Sequence, residues 1–490
     1  MTSDEGLNAY GASTWGQFFI YQGFNPRIGW MHTSSTADNI DEFAEEVTGA
    51  TYRHGARTRP LDRRWVRIKV HQPDGSLRDE DFLTYRTHHG PITRMEGGRM
   101  IATALMHRPV EALQQSWLRT RATDLSSFEA IGARFRANSS NNTVLASAKG
   151  EIAFLYPQFM PARAARFDWR KPVDGTDPAA DWGALMSLAR LPRAVNPRLG
   201  WVQNVNDHPW TATLLEGPFK ADYPAMIDQG SANPRTRHAF EVLGGDKRFT
   251  RDALLAAAFS PWLPAFQELI PPLVAHIDAL SSADPLRSRL AGPADLLRSW
   301  NYRWSATSAA TTLAAFWGRE LERAAPPAVQ ASRAYPEWIA SLPGPDQLAA
   351  LERAVARLQA DFGRWAVPWG EVNRFQRLTS DIVPRFDDAA PSTPVPFASA
   401  TWGSLAAYGS QPYPNTRRWY GNYGNSFVAV VEFGPRVSAR AVTAGGASGD
   451  PASPHFNDQA ERYASGNFRE VYFHPDQLQG HAERVYRPGE

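Results

Sequence analysis

The alternation of apolar and polar residues along the chain gives three strand signals. Residues 65–71 alternate apolar and basic side chains and lead to a Pro-Asp-Gly turn, which predicts a half-exposed strand entering a hairpin. A second hairpin is predicted where residues 144–147 and 152–155 flank a turn at 148–151. Residues 427–432 form an apolar run that predicts a strand buried on both faces.

Apolar residues spaced by three and four predict helices elsewhere. This spacing covers residues 125–135 after a capping-type Asp124, and residues 348–362 after Asp346. Both are interpreted as helix faces buried in a core. Most of residues 251–365 follow the same pattern, as a helical block between two strand-rich portions, and this order predicts an α+β fold rather than alternating βαβ units.

Composition excludes several classes of function. The chain has 490 residues, with 52 Lys and Arg against 50 Asp and Glu, so no basic excess points to a nucleic-acid partner. No apolar run is long enough to predict a membrane span. Zero cysteines exclude disulfides, thiolate metal sites and a cysteine nucleophile. Residues 1–6 lack the features of a signal peptide, so the signal of an exported protein is expected upstream of this chain.

Self-sufficient catalytic motifs are absent from the sequence. It contains no G-x-S-x-G elbow, no H-E-x-x-H and no phosphate-binding or dinucleotide-binding glycine pattern. His88 and His89 are adjacent, but no nearby carboxylate or third ligand completes a metal site, so a structural or turn role is expected.

Three local groups of residues carry more information together than singly. In residues 23–42, the carboxylates of Asp38 and Asp41, with a carbonyl between them, suit a hard cation such as Ca²⁺, although the spacing alone favours a capped helix start. Residues 200–210 are rich in amides and aromatic rings, and such amides either donate to an oxyanion or tie loops together. The third group combines residues 422–426 with residues 453–459.

Four motifs in a fixed order give these groups a family resemblance. They are Gly-Phe-Asn-x-x-Ile-Gly-Trp-x-His-Thr (23–33), His-His-Gly-Pro (88–91), Asn-Pro-x-x-Gly-Trp-Val-Gln-Asn-x-Asn-Asp-x-Pro-Trp (196–210) and Pro-His-Phe-x-Asp-Gln (454–459). In this succession the chain resembles the penicillin acylase family, whose members act on β-lactams, acyl-homoserine lactones and lipopeptides. The resemblance extends from about residue 10 to residue 473.

The resemblance implies a fold and a domain plan. Members are N-terminal nucleophile hydrolases with a four-layer αββα sandwich of the α+β class, cut from one precursor into a small and a long chain. Residues 1–250 are expected to form the first part of that core, residues 251–370 a helical insertion, and residues 371–490 the last part of the core.

The resemblance also implies site residues and partners. The side-chain amide of Asn206 and the backbone N–H of Ser34 would hold the oxyanion, and Arg237 would orient the nucleophile and that asparagine. Asp38, the Ile40 carbonyl and Asp41 match the structural calcium ligands of some members, and no organic cofactor is implied. The expected partners are a small acyl amide substrate and a small acylase chain or upstream segment. Relatives are commonly periplasmic or secreted.

The chain departs from the family pattern around the nucleophile. A long chain of this family begins with a Ser-Asn start and continues to an Asn-Pro-His segment, and neither occurs ahead of residues 11–14. Thr2 and Ser3 fall outside the nucleophile strand by register, so no nucleophile is assigned. Asn425 stands where some relatives carry an acidic partner for their active-site histidine. Two functions follow as alternatives: an acylase that hydrolyses linear amides with its missing segment supplied, or an inactive remnant that binds or scaffolds.

Overall fold

The chain divides into two compact units, Met1–Ser231 and Ala232–Glu490. The structure is a computed structural model that describes residues 1–487 except 15, 139, 225, 229 and 246. The domain limits expected from the sequence stay a prediction. Each unit is described by itself below.

The first unit is built mainly from strands. Its strands are β1 (Tyr10–Ala12), β2 (Gln22–Phe24), β3 (Ile28–Ser34), β4 (Asp41–Glu45), β5 (Val47–Thr48), β6 (Thr51–His54), β7 (Arg57–Pro60), β8 (Asp62–His71), β9 (Leu77–Arg86), β10 (Ile92–Glu96), β11 (Arg99–Ala104), β12 (Asn141–Ser147), β13 (Ile152–Leu155), β14 (Val173–Asp174) and β15 (Arg193–Val195). Its helices are α1 (Pro109–Arg119) and α2 (Leu125–Phe135).

A six-stranded sheet in the order β1-β2-β3-β12-β13-β15 forms the centre of the first unit. Strand β3 pairs antiparallel with β12, so that Trp30 lies opposite Leu145 and Ser34 opposite Asn141. Along β3 the buried side chains alternate, from Ile28 and Trp30 to His32. The apolar members of this face pack with residues of α2, which leaves the polar end of β3 as the place where a site can form.

Smaller sheets complete the first unit. One has the order β10-β11-β4-β14, one the order β5-β6-β7, and the hairpin β8–β9 forms a two-stranded sheet. The predicted hairpins are confirmed, as β8–β9 and as β12–β13.

Helix α2 shows why the sequence signal at Asp124 was reliable. Asp124 accepts from the Ser127 backbone N–H, and the Ser127 side chain accepts from the Asp124 N–H, which together form a capping box. Two otherwise unsatisfied donors of the first turn are thereby paired. The predicted helix over residues 125–135 is confirmed.

The second unit combines a helical block with two sheets. Its helices are α3 (Pro234–Leu243), α4 (Arg251–Ala258), α5 (Pro264–Asp278), α6 (Pro285–Arg298), α7 (Ala309–Ala324), α8 (Pro327–Ser332), α9 (Tyr335–Ala340), α10 (Gly344–Phe362), α11 (Trp369–Val372), α12 (Ala460–Ser465) and α13 (Pro475–Leu478). Its strands are β16 (Asn373–Phe375), β17 (Thr393–Pro394), β18 (Tyr408–Pro412), β19 (Trp419–Gly424), β20 (Phe427–Glu432), β21 (Ser438–Thr443) and β22 (Arg469–Glu470).

The helical block has its own core, and one strand expectation fails beside it. Trp317 of α7 is fully buried among apolar residues of α5, α6 and α10. Strand β20 has the predicted bounds, but it lies at the edge of the sheet β20-β21-β22, and among its side chains only Val430 is buried. Burial on both faces was therefore wrong, because the other five side chains of β20 keep contact with solvent.

Candidate active site

The end of strand β3 is joined to the loop that carries Asn206 through the side chain of Asn204. Asn204 Oδ1 accepts hydrogen bonds from the Asn142 side chain at 3.2 Å, from the Asn206 backbone N–H at 3.0 Å and from the Thr33 hydroxyl. These donors come from β12, from the loop itself and from β3. One amide oxygen thus holds the three segments together.

The other side of the same loop is fixed by Asp207. The Asn204 side chain donates to Asp207 Oδ1 at 3.0 Å, and the Val205 N–H donates to the same oxygen at 3.3 Å. The Thr211 hydroxyl donates to Asp207 Oδ2 at 2.7 Å. Between these anchors Asn206 adopts a left-handed backbone with a φ of 62°, a region that asparagine tolerates better than most residues.

Ser34 and Asn206 therefore belong to one hydrogen-bonded group in the first unit. Both residues are exposed. The Ser34 carbonyl accepts from the Asn142 side chain at 3.4 Å, and that side chain also donates to Asn204. A side-chain amide and a main-chain N–H at the end of a strand are donors of the kind that an oxyanion site uses. Their catalytic role stays a prediction.

Arg237 lies on α3 in the second unit. Its guanidinium pairs with Glu268, donates to the Pro264 carbonyl at 2.9 Å and lies over the Trp262 ring at 5.0 Å. All of these partners belong to the second unit. The predicted role of Arg237 in orienting a nucleophile stays a prediction.

The predicted calcium ligands have an internal counter-ion. The Arg163 side chain is fully buried, and it lies 2.6 Å from Asp41 Oδ1 and 3.5 Å from Asp38 Oδ1. It also donates to the Asp38 carbonyl. Trp182 Nε1–H donates to the remaining carboxylate oxygen, Asp41 Oδ2, at 2.5 Å.

This donor set does not fit Ca²⁺ as it is arranged. A calcium ion needs several free oxygens, whereas both Asp41 oxygens already accept hydrogen bonds and a guanidinium supplies the positive charge. Burial raises the pKa of Asp41, while Arg163 acts in the opposite direction. The Ile40 side chain is exposed. The assignment of calcium to Asp38, Ile40 and Asp41 stays a prediction that this geometry does not favour.

The alternative of a helix start at these residues was wrong. Asp41–Glu45 forms strand β4, paired with β11 and β14. Asp41, Phe43 and Glu45 all face inward, so two of the three buried positions are acidic. The alternation that marks a strand was hidden because carboxylates occupy its buried face.

A buried basic pair lies below the end of β3 and was missed by the sequence analysis. His32 Nε2 is 2.7 Å from the guanidinium of Arg119, and His32 Nδ1 is 3.0 Å from the Thr143 hydroxyl. Burial and the Arg119 charge keep the pKa of His32 well below its usual value. Burial lowers the pKa of Arg119 to about 10. A neutral imidazole accepts the hydrogen bond from Arg119, and His32 directly precedes Thr33 and Ser34 in β3.

Asn425 has a structural role in this chain. Its side-chain oxygen accepts from the Ala407 N–H at 2.9 Å, and its own N–H donates to the Ala407 carbonyl at 3.0 Å. These bonds fix the turn between β19 and β20.

Comparison with known proteins decides the family. The sequence profile of the penicillin amidase family matches residues 1–480. The chain belongs to the penicillin amidase family. The resemblance stated from the four ordered motifs is confirmed.

Two curated relatives show the range of this family. The acyl-homoserine lactone acylase PvdQ of Pseudomonas putida is 23% identical, over 97% of this chain and 64% of the relative. The penicillin acylase 2 proenzyme of Pseudomonas sp. is 25% identical, over 90% of this chain and 58% of the relative. The chain thus spans about three fifths of the length of these penicillin amidase relatives.

A solved structure shows the same fold. Penicillin G acylase from Alcaligenes faecalis matches with a TM-score of 0.69 at 17% identity, over 99% of this chain and 92% of that chain. The predicted fold class, the α+β αββα sandwich of N-terminal nucleophile hydrolases, is confirmed by this match. Among the residues that the structure describes, no helix is both long and apolar enough to cross a membrane.

Proposed function

We propose that this penicillin amidase family chain carries the oxyanion site of an acylase that hydrolyses linear amides. The supporting observation is that Asn204 Oδ1 accepts from the Thr33 hydroxyl of β3 and from the Asn206 N–H, which holds the Asn206 loop against the end of β3 beside Ser34. The printed names of relatives, acyl-homoserine lactone acylase and penicillin acylase, agree with a small acyl amide as substrate.

In this proposal the substrate carbonyl lies between Asn206 and the end of β3. A base takes the proton of a hydroxyl while its oxygen attacks the carbonyl carbon, which moves an electron pair onto the carbonyl oxygen. That oxyanion accepts hydrogen bonds from the Asn206 amide and the Ser34 N–H. Collapse expels the amine, which takes the proton from the base, and water then releases the acyl group from the ester. In the family the hydroxyl is an N-terminal serine and the base is its own α-amino group.

The nucleophile is assigned to no residue of this chain. The proposal places it at the N-terminal serine of the long chain, on the upstream segment that the resemblance implies. The relatives are longer than the region that this chain covers, which agrees with such a segment. On the same resemblance, we propose a periplasmic or secreted location for this protein. Osmotic-shock fractionation of the native cells checks the location, and recovery of the protein only in the cytoplasmic fraction contradicts it.

The function is tested on protein isolated from its native source, together with any chain that co-purifies. We expect hydrolysis of at least one member of a panel of phenylacetyl, glutaryl and fatty acyl amides, including N-acyl-homoserine lactones. Asn206→Ala is expected to lower kcat by about 10²- to 10³-fold with little change in KM, because it removes a donor to the oxyanion.

The control is Asn467→Ala, since Asn467 is exposed in the second unit and is expected to leave kcat unchanged. An Asn206→Ala enzyme of normal activity would overturn the oxyanion assignment. Binding of acyl amides without hydrolysis, in protein with its co-purifying chain, would favour the binding or scaffolding alternative.

A further inference from the structure

Three imidazoles converge on one carboxylate oxygen in the first unit. Asp181 Oδ1 lies 3.1 Å from His54 Nε2, 3.2 Å from His88 Nε2 and 3.0 Å from His89 Nε2. The four residues come from three separate parts of the sequence. His54 ends β6, the two adjacent histidines follow β9, and Asp181 follows the short turn at Pro178–Ala180.

Three of these ligand atoms fit the dimensions of a metal site. One ring nitrogen each of His54 and His88 and an oxygen of Asp181 lie within 4.8 Å of one another. Zinc binds histidine nitrogen at about 2.0–2.1 Å, so the ligand atoms of a tetrahedral site are separated by about 3.3 Å. The observed distances from Asp181 Oδ1 to the two nitrogens, 3.1 and 3.2 Å, are close to that value.

The unused ring nitrogen of His88 has the partner that a metal-bound histidine needs. His88 Nδ1 is 3.0 Å from the Tyr52 hydroxyl, and the same hydroxyl accepts from the His88 backbone N–H at 3.1 Å. The Tyr52 and His88 rings are also stacked, at 12°. Histidine ligands typically donate their second N–H to such a partner, which fixes the ring and directs the other nitrogen to the metal.

His89 and Glu45 form an outer layer that orients Asp181. His89 Nε2 is 3.0 Å from Asp181 Oδ1, and its Nδ1 is 2.8 Å from Glu45 Oε1. Glu45 is fully buried, and its second oxygen has no hydrogen-bond partner among the described residues. Phe43 stacks on the His89 ring at 3.8 Å. A buried carboxylate behind a set of imidazoles favours a cation in front of them.

We propose that His54, His88 and Asp181 form a site for a divalent transition metal, with Zn²⁺ as the matching ion, and that His89 and Glu45 position the carboxylate. Two nitrogens and one oxygen suit Zn²⁺ better than Ca²⁺ or Mg²⁺, which prefer oxygen ligands. The Asp181 side chain is 38% exposed, so an ion can enter and water can take the fourth position. The ion would fasten the β6 end, the segment after β9 and the Asp181 turn to one another.

The test uses tag-free protein stripped with EDTA and then titrated with Zn²⁺ or Co²⁺. We expect one tightly bound Zn²⁺ per chain, by calorimetry and by metal analysis after desalting. The Co²⁺ form is expected to show the intense visible absorption of a tetrahedral site. His88→Ala and Asp181→Ala are expected to weaken Zn²⁺ binding by about 100-fold or more, and Glu45→Gln by about 10- to 100-fold.

His71→Ala is the matched control, because His71 is an exposed histidine at the end of β8. It is expected to bind Zn²⁺ like the wild type. The Co²⁺ spectrum of the wild type needs no variant, so it decides the question even if His88→Ala fails to fold. Absence of stoichiometric binding, or unchanged binding in folded His88→Ala, would overturn the proposal and leave a hydrogen-bonded histidine cluster. Neither result depends on acylase activity.

Discussion

Asn142 donates a hydrogen bond of 3.2 Å to Asn204 Oδ1, and this contact connects strand β12 to the loop of Asn206. Because Asn204 is also bonded to Thr33 and to the Asn206 backbone, the position of Asn206 relative to Ser34 depends on a residue outside the predicted site. Sequence analysis named Asn206, whereas the structure adds Asn204 as the residue that positions it.

Removal of the Asn204 side chain is expected to destabilise the first unit. Asn204→Ala removes the oxygen that accepts from the Asn142 amide, the Thr33 hydroxyl and the Asn206 N–H. Loss of these bonds is expected to cost about 1–3 kcal/mol in the free energy of unfolding. Urea unfolding of the variant measures this loss. Asn467→Ala, an exposed control, is expected to change stability by less than about 0.5 kcal/mol. Equal stability of the two variants would argue against Asn204 as an anchor.

Loss of the Arg163 charge is expected to lower the free energy of unfolding, because Asp41 is buried beside it. Arg163→Met leaves a fully buried carboxylate without its counter-ion, and we expect a loss of about 3–5 kcal/mol. The matched control is Arg170→Met, because the Arg170 side chain is 73% exposed and its pair with Asp168 contributes at most about 1 kcal/mol. Chemical denaturation of both variants makes the comparison.

Addition and removal of Ca²⁺ test whether Asp38 and Asp41 bind calcium in the presence of Arg163. Wild-type protein is expected to keep its Tm when Ca²⁺ is removed with EGTA, because Arg163 already compensates Asp38 and Asp41. Added Ca²⁺ is expected to raise the Tm of Arg163→Met, since the freed oxygens can then bind the ion. A wild-type Tm that falls with EGTA would support the calcium assignment against this arrangement.

His32 is expected to make the protein sensitive to mild acid. Its pKa in the folded state is well below the value of about 6.5 in an unfolded chain, so the native state binds fewer protons between the two values. This contribution to stability is present above pH 6.5 and is lost as the pH falls toward the lowered pKa, by up to about 1.4 kcal/mol per pH unit.

The variant His32→Gln is expected to lose that part of the pH dependence. Glutamine has no titratable group, so residue 32 of the variant binds no proton in either the folded or the unfolded state. The stability of the variant at pH 8 is expected to fall, because the contact with Arg119 changes. Urea unfolding between pH 4.5 and pH 8 measures the slope, with His107→Gln at an exposed position as control. Identical acid slopes in wild type and His32→Gln would show that other groups dominate.

Two helical glycines are expected to respond in opposite ways to alanine. A Cβ on Gly318 of α7 would lie 2.3 Å from Cζ2 of the buried Trp402, so Gly318→Ala should cost about 1–3 kcal/mol by overpacking. A Cβ on Gly132 of α2 would meet Leu188 at 3.5 Å, an ordinary contact. Gly132→Ala should gain about 0.5–1 kcal/mol from helix propensity. Thermal unfolding compares the two, and a stabilised Gly318→Ala would contradict the packing argument.

Local signals predicted the elements whose determinants are neighbours in sequence. The Asp124 cap is three residues from its partner Ser127, and the hairpin β12–β13 has its turn between its strands. Strand β4 and the histidine cluster failed because their partners are remote. Arg163 compensates Asp41 from more than a hundred residues away, and Asp181 reaches His88 across a similar separation. A hydrophobicity pattern treats every carboxylate as an exposed residue, so it cannot identify one that is buried beside a counter-ion from a remote part of the sequence.

The hairpin β8–β9 has a consequence for how the protein opens. It is a two-stranded sheet with ten residues in each strand, and Trp65 is 68% exposed on it. Two strands alone bury too little to be strongly stable in water. Its amides should therefore exchange with solvent through excursions that leave the hydrogen bonds of the six-stranded sheet closed. A protease is therefore expected to cleave the turn after His71 under conditions in which the rest of the chain is still folded.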